Sequence, residues 1–425
     1  MHAFYGGKIG TVAKCPVRDV SDFAIWYTPG VAEPCKAIAK DPSLAYELTN
    51  KWNTVAVVTD GTRVLGLGDI GPLAGLPVME GKAMLFKYLG GVDAVPICLG
   101  TKDQEEIVRT VKLLSPSFGG INLEDISQPK CFHVLDRLRQ EMEIPVWHDD
   151  QQGTATIVLA ALINSLKLVG KRIDEVHIAM IGAGAANIAI SRLIITAGVD
   201  IRKIVMTDSH GILGPSRKEL EEEYHEKWNM ALRSNLEGRE GGDREAMEGA
   251  DVVIAASRPG PGVLTKDMVA SMADDAIVFA TANPVPEIWP WEATQAGAKI
   301  VATGRSDFPN QVNNSLVFPA LFRGCLDVRT RSISDEMCLA AANELARTAE
   351  EKGLAFEHVV PSMADWEVFP REAVAVGMRA IEQGLARRRM GRQELYERAT
   401  ASITHARQEM ETLMRSGMIK PMPGL

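Results

Sequence analysis

His148-Asp149-Asp150-Gln151-Gln152-Gly153-Thr154-Ala155 joins a short apolar strand, Ile144 to Trp147, to a long apolar helix, Thr154 to Val169. Two adjacent carboxylates at such a junction repel, so a pair held beside a buried helix calls for a counter-charge. A divalent cation supplies one economically, and aspartate oxygens suit Mg²⁺ or Mn²⁺. On its own the segment reads equally well as a capped strand-to-helix turn with solvated aspartates. Upstream, Ile121-Asn122-Leu123-Glu124-Asp125 is a second short apolar strand that ends in two acids. Between the strands, Pro129 to Gln140 has apolar positions Phe132, Leu135 and Leu138 at helical spacing. A strand–helix–strand unit makes its strands parallel and brings their C-terminal ends to one edge of a sheet, where open α/β folds bind ligands. Glu124, Asp125, Asp149 and Asp150 should therefore converge. Four carboxylates without a cation would be costly there, which favours a hard-metal site.

The composition sets the frame. At 425 residues, two or more domains are expected. The hydrophobic fraction of 46% and charged fraction of 24% are those of an ordinary globular protein. A net charge of −9, from 46 basic and 55 acidic residues, argues against nucleic acid or a membrane surface as partner. The six cysteines are scattered, with no C-x-x-C pair, and the N-terminus lacks the apolar core of a signal peptide. Reduced thiols and a cytoplasmic location follow. The apolar run Ala155 to Val169 is interrupted by Asn164, Ser165 and Lys167; it reads as a buried helix too short to span a bilayer.

In chain order, Tyr27-Thr28-Pro29-Gly30 marks a turn, and a helix is expected from Val31 to Ala39. Tyr27 is either a packing residue or an acid. Thr54 to Val58 and Val64 to Leu67 read as strands, and Asp60-Gly61 between them signals a hairpin. Arg63 beside that turn is a solvated strand-end charge or a bidentate grip on a substrate carboxylate. The glycine-rich Gly66 to Gly71 has no clear helix after it and reads as a close-approach turn. Gly81-Lys82-Ala83 is expected to open a helix running to about Leu89. That places Lys82 near the positive end of the helix dipole, where a nearby dication would free its amine as a base. Val92 to Leu99 is the next strand and Gln104 to Leu114 the next helix. Residues 1–153 thus form one α/β domain, and the helix from Thr154 leads into the next.

Residues 154–425 carry the second pattern. The strand Val176 to Ile181 runs into Gly182-Ala183-Gly184-Ala185-Ala186-Asn187 and then the helix Ile188 to Thr196. The strand Ile204 to Thr207 follows and closes on Asp208. This is the strand–turn–helix–strand context of a dinucleotide site, with Gly182, Gly184 and Ala185 at the phosphate turn and Asp208 placed for a ribose hydroxyl. Asn187 stands where a third glycine is usual. Val252 to Ala256, Ala276 to Ala280 and Lys299 to Ala302 complete a doubly wound sheet. Asn283 and Asn314, in Thr281-Ala282-Asn283-Pro284 and Asn313 to Pro319, cap turns or bind nicotinamide or a carboxylate. Gly211 to Gly249 reads as surface helix and loop. Residues 333–416 read as helical with breaks at Pro361 and Pro370, and the charged helix Arg392 to Met414 is expected to pack across the second domain or a partner chain.

Together these stretches resemble the malic enzymes, in the short form found in bacteria and archaea. The resemblance spans nearly the whole chain. It rests on Tyr27 to Ala32, Leu65-Gly66-Leu67-Gly68-Asp69, Gly81-Lys82-Ala83, Asn122 to Asp125, His148 to Ala155, the Gly182 turn, Thr281 to Pro284 and Asn313 to Pro319. It implies an N-terminal α/β domain followed by a Rossmann-type domain and C-terminal helices (about 333–425). The reaction implied is oxidative decarboxylation of L-malate to pyruvate and CO₂ with NAD or NADP and Mg²⁺ or Mn²⁺, in a homo-oligomer, dimer or higher. It implies Glu124, Asp125 and Asp150 as metal ligands, Lys82 as base, Tyr27 as acid and Asp149 as the hydrogen-bond partner of Lys82. Arg63, Asn283 and Asn314 would bind malate, with Asn283 also at the cofactor. Asp208 points to NAD because its charge repels a 2′-phosphate, although family members with an acid there also use NADP. The alternatives are a metal-dependent oxaloacetate decarboxylase and a non-catalytic nucleotide-binding regulator.

Overall fold

The computed structural model describes residues 1–423 and contains two sheets. The first holds β1 (Thr54–Thr59), β2 (Asp93–Cys98), β3 (Gly120–Leu123) and β4 (Val146–His148) in the order β2-β1-β3-β4. All its pairings are parallel. Val55 to Val58 of the central strand are fully buried, as expected of a parallel strand covered on both faces. Leu123 pairs with His148, so the acids that follow each strand leave the sheet side by side.

The hairpin expected at Asp60-Gly61 does not form. β1 has β2 on one edge and β3 on the other, which leaves no edge for a returning strand. Asp60 Oδ1 instead accepts from the Thr62 amide and hydroxyl, and the local Asx turn sends the chain out of the sheet. Leu65–Leu67 is then a single 3₁₀ turn, closed by the Leu67 amide donating to Val64 O, while the Val64 amide donates to Gly68 O across its base.

The helix expected from Gly81 begins nine residues earlier. Pro72–Gly90 is one continuous helix of 19 residues, with Pro72 at its first position. Gly75, Pro77 and Gly81 all lie inside it. Lys82 is therefore mid-helix and feels no N-terminal dipole; its environment is set by side chains, as shown below.

The second sheet holds β5 (Ile178–Ile181), β6 (Ile204–Asp208), β7 (Gly211–Ile212), β8 (Val252–Ala255), β9 (Ile277–Ala280) and β10 (Ile300–Thr303). Their order is β10-β9-β8-β5-β6-β7, parallel except for β7. Strand order reverses between β5 and β8, and the crevice beyond their C-terminal ends is where a dinucleotide binds in such sheets. The polar stretch after β7 supplies the short helices Leu220–Glu223, His225–Arg233 and Asp243–Met247 at that edge.

The connecting helix Thr154–Val169 is preceded by one wide turn of π type, Asp149–Gly153. Together they span 21 residues, long and apolar enough to cross a bilayer, which corrects the expectation that the run is too short. Its apolar window is 72% buried, against helices Ala185–Thr196 and Asp335–Lys352, and it is a core helix of this protein.

The C-terminal helices return to the first sheet. Phe318–Asp327 lays Phe318 and Phe322 on Phe86, with ring centroids 4.6 and 5.4 Å apart. Arg392–Arg415 packs on Pro72–Gly90 and Val368–Glu382 rather than across the second sheet; Arg407 donates to the Tyr88 hydroxyl and Lys87 pairs with Glu409. Pro370 does not break its helix, because it falls in the first turn of Val368–Glu382, where no partner for its N–H is needed.

Arg323 locks this return. Fully buried, it donates to both Asp327 oxygens (3.0 and 2.7 Å) and to Asn53 Oδ1, just before β1. Without Arg323, buried Asp327 keeps only Arg398 (2.8 Å) and Asn53 Oδ1 loses its donor, so Arg323→Ala is expected to lower the unfolding free energy by about 3 kcal/mol, the low end for a broken buried pair. A urea-denaturation change below about 1 kcal/mol, the worth of an exposed pair, would show that the network does not brace the fold.

Candidate active site

Lys82, Glu124 and Asp149 meet where helix Pro72–Gly90 crosses the ends of β3 and β4. Lys82 Nζ lies 2.5 Å from Asp149 Oδ2 and 2.8 Å from Glu124 Oε1, and all three side chains are buried. The remaining carboxylate oxygens are also held: Trp147 Nε1 donates to Asp149 Oδ1 at 3.0 Å and Asn122 Nδ2 to Glu124 Oε2 at 2.9 Å. The Phe318 ring covers the ammonium, with Nζ 4.3 Å from its centroid.

Glu124, Asp125 and Asp150 bring one carboxylate oxygen each to within 4.8 Å of one another. Asp125 takes a left-handed backbone (φ 53). Its amide donates to Asp150 Oδ2 at 2.8 Å. Its Oδ2 is buried without a hydrogen-bond partner among the described residues. The π turn supplies the rest of the geometry. Such wide turns recur at functional sites, and this one follows β4 directly. Gly153 within it lies against Asp149 Oδ1, so any side chain there would displace the carboxylate, and Asn314 Cβ borders the same space.

The electrostatics match a missing positive charge. Burial pushes the Glu124 carboxyl well above its usual range, and nearby acids add to the effect against the pull of Lys82. Burial and then Asp150 raise Asp125 to about 8. Asp149 is raised mainly by burial. Burial alone would depress Lys82, but Asp149 and Glu124 outweigh it and hold the ammonium. A dication is the species that relieves this excess; the three hard oxygen donors and the unpartnered Asp125 Oδ2 fit Mg²⁺ or Mn²⁺.

Other expected residues are placed differently. The Arg63 amide donates to Asp125 O at 3.0 Å, which sets its backbone beside the cluster while its exposed guanidinium touches only Leu65 O. Asn283 lies on an exposed loop, its carbonyl against Gly66 and its amide against Gly304, too close for a Cβ at either glycine. The close-approach turn at Gly66 is thus a contact between the two halves. Tyr27 stands apart. It is 69% exposed on the N-terminal segment and forms no side-chain hydrogen bond among the described residues.

Sequence reasoning passed over Asn122, Trp147, Phe318 and Glu287. Asn122 and Phe318 sit inside the quoted motifs and Trp147 ends a quoted strand, so proximity is the available signal. Glu287 had none: it is fully buried, accepts from the Ser257 and Ala282 amides, and so ties together the loops after β8 and β9. Its carboxyl is pushed by burial to about 7.

At the second sheet, Gly182 (φ 95) packs on Ala256 O and Ser257, and Gly184 precedes helix Ala185–Thr196. The free amides at that helix start form an anion seat. Asn187 is buried. Its Nδ2 donates to Ile181 O (3.0 Å), Gly182 O (2.7 Å) and Ile254 O (3.4 Å), and so braces the turn from beneath. Asp208 ends β6, with partners described below.

Comparison with known proteins decides the family. Residues 6–106 and 100–139 match the malic enzyme N-terminal domain, and residues 151–381 match the malic enzyme NAD binding domain. The chain belongs to the malic enzyme family. It is 50% identical over 383 residues to the NAD-dependent malic enzyme of Geobacillus stearothermophilus, covering 90% of this chain and 78% of that one. It is also 50% identical over 398 residues to the bifunctional malic/malolactic enzyme of Bacillus subtilis, covering 94% and 96%. The crystal structure of Entamoeba histolytica malic enzyme superposes with a TM-score of 0.97 at 46% identity, over 99% of this chain and 88% of that one. The two malic enzyme matches meet between residues 139 and 151, at β4 and the π turn.

A cation entering this cluster must displace the proton that Asp125 holds below about pH 8. Mn²⁺ affinity is therefore expected to rise through pH 6 to 8, by about tenfold per unit for each proton displaced, with proton release in calorimetry. A pH-independent affinity would show that Asp125 is not part of the seat.

Proposed function

We propose that this member of the malic enzyme family oxidatively decarboxylates L-malate to pyruvate and CO₂ with reduction of NAD(P)⁺. The observation that carries the reading is the buried Lys82 ammonium between Asp149 and Glu124, beside three converging carboxylates. Residues 1–153 form the substrate and metal domain, and residues 154–425 the cofactor domain with its helical extension. The enzyme works in the cytoplasm, in line with six free thiols.

Glu124, Asp125 and Asp150 would hold Mg²⁺ or Mn²⁺, whose charge would stabilise the oxygen at malate C2 in both halves of the reaction. The second sheet would seat NAD(P)⁺, which supplies the hydride acceptor, with its phosphates at Gly182, Gly184 and Ala185 and its adenosine ribose near the end of β6, where Asp208 stands. To act as a base Lys82 must first give up its ammonium proton to solvent, which a dication drawing on Glu124 would favour; the neutral Nζ would then take the C2-hydroxyl proton, and Asp149, fixed by Trp147, would hold the ammonium that results. Arg63 grips a malate carboxylate through its free guanidinium, and Asn283 and Asn314 orient the substrate from the cofactor side. Tyr27 returns a proton to C3. To do so its segment must be laid over a site. That segment exposes Val20, Phe23, Ile25 and Trp26, the kind of apolar patch covered in a homodimer.

With Mn²⁺ and L-malate, the protein is expected to reduce a nicotinamide and release CO₂ in equal amounts. Lys82→Ala should lower kcat by about a hundredfold or more while nucleotide affinity holds. Near-normal turnover in that variant would remove Lys82 from the proton transfer. Decarboxylation of oxaloacetate with neither nicotinamide reduced would instead favour the plain decarboxylase.

A further inference from the structure

Asp208 occupies the position at which a dinucleotide fold usually receives a ribose diol. Here that carboxylate is already spoken for. Oδ1 accepts from the His210 amide (2.9 Å) and Arg217 Nη1 (3.2 Å), and Oδ2 accepts from Arg217 Nη2 (3.3 Å) and Lys227 Nζ (3.2 Å). A carboxylate offers about four lone-pair sites, and all four are in use. A ribose hydroxyl would have to displace a charged donor to reach it.

The two cations are built in rather than passing. The Arg217 and Lys227 side chains are only 15% and 13% exposed. Lys227 Nζ lies 4.7 Å from the centroid of the Tyr224 ring, and the Arg217 amide is tied to Gly214 O. Arg217 also pairs through Nε with Glu219, which is 61% exposed on the solvent side. With Glu219 counted, two carboxylates face two cations, and donors are left over: Asp208 and Glu219 take three of the five N–H groups of Arg217, and Asp208 takes one of the three on Lys227. Arginine presents a planar fork that fits phosphate oxygens, and lysine adds a point charge.

We propose that Arg217 and Lys227 form the seat of a 2′-phosphate, with Asp208 as the positioning residue that holds them side by side, and that NADP is the preferred cofactor. This reverses the preference expected from the charge of Asp208 alone. It rests on the cofactor role given above to the second sheet, but not on malate chemistry.

Calorimetry on the full chain, without metal or malate, separates the two readings. Adenosine 2′,5′-bisphosphate is expected to bind at least about tenfold tighter than 5′-AMP. Arg217→Gln and Lys227→Gln should each remove about tenfold of the bisphosphate affinity, leave 5′-AMP within about twofold, and lower the NADP/NAD ratio of kcat/KM in step. Lys227→Arg should keep the discrimination. Equal affinity for the two nucleotides in the unaltered protein would overturn the proposal, as would variants that weaken both alike. Selective bisphosphate binding in a protein inert toward malate would sustain this inference and defeat the catalytic reading. Malate turnover with NAD alone would do the reverse.

Discussion

The structure depends on one ion cluster. Lys82 is wedged between two buried carboxylates, and two further acids, Asp125 and Asp150, crowd the same edge. Four carboxylates against one ammonium leave a formal excess of three negative charges if all are ionised. Buried charge of that size is tolerated only when it is paired or neutralised by protonation or a cation. The elevated carboxyls of Glu124, Asp125 and Asp149 record the same imbalance. The fold therefore holds its acids in a state that is costly without a partner charge, and that cost is what gives a dication its affinity.

Several distant features follow from holding those acids in place. The parallel register of β3 and β4 sets Glu124 beside Asp149. The π turn lets Asp149 turn inward to Lys82 while Asp150 stays with Asp125, and only glycine at 153 leaves room for it. Phe318 closes the cluster from above, which requires the C-terminal helices to come back across the first sheet. Arg323, bonded to Asn53, fixes that return through a buried charge pair of its own. The second ion network thus holds the lid over the first.

The legible parts of the sequence were those governed by short-range periodicity. The strands with acidic ends, the helices Gln104–Leu114 and Thr154–Val169 and the nucleotide turn all declared themselves through spacing. The misread parts were settled by distant contacts. Asp60-Gly61 is a hairpin signal only if an edge is free, and β2 and β3 take both. Glycine and proline within Pro72–Gly90 mimic loop chemistry, and burial against the sheet overrides them. Lys82 carries a different electrostatic setting from the one its motif suggests: side chains, not a helix end, set its charge. Asp208 ends its strand as its spacing suggests, but its ion partners Arg217 and Lys227 lie in a polar stretch with no periodic pattern to read.

The two halves meet with little slack, and Asn283 shows why. Its carbonyl touches Gly66 from the first half, and its side-chain amide touches Gly304 of its own half. A Cβ at either position would push it away. Arg63 lies on the same loop as Gly66, and its amide is bonded to Asp125 O. A displacement of Asn283 is therefore felt along one short stretch of backbone by an acid of the cluster. Glu287 steadies Asn283 from the other direction, because it joins the loops that follow β8 and β9. The edge that gathers the carboxylates and the loops that would carry the cofactor thus meet through the close approach of Asn283 to Gly66, with the Glu287 carboxylate bracing the loops behind it.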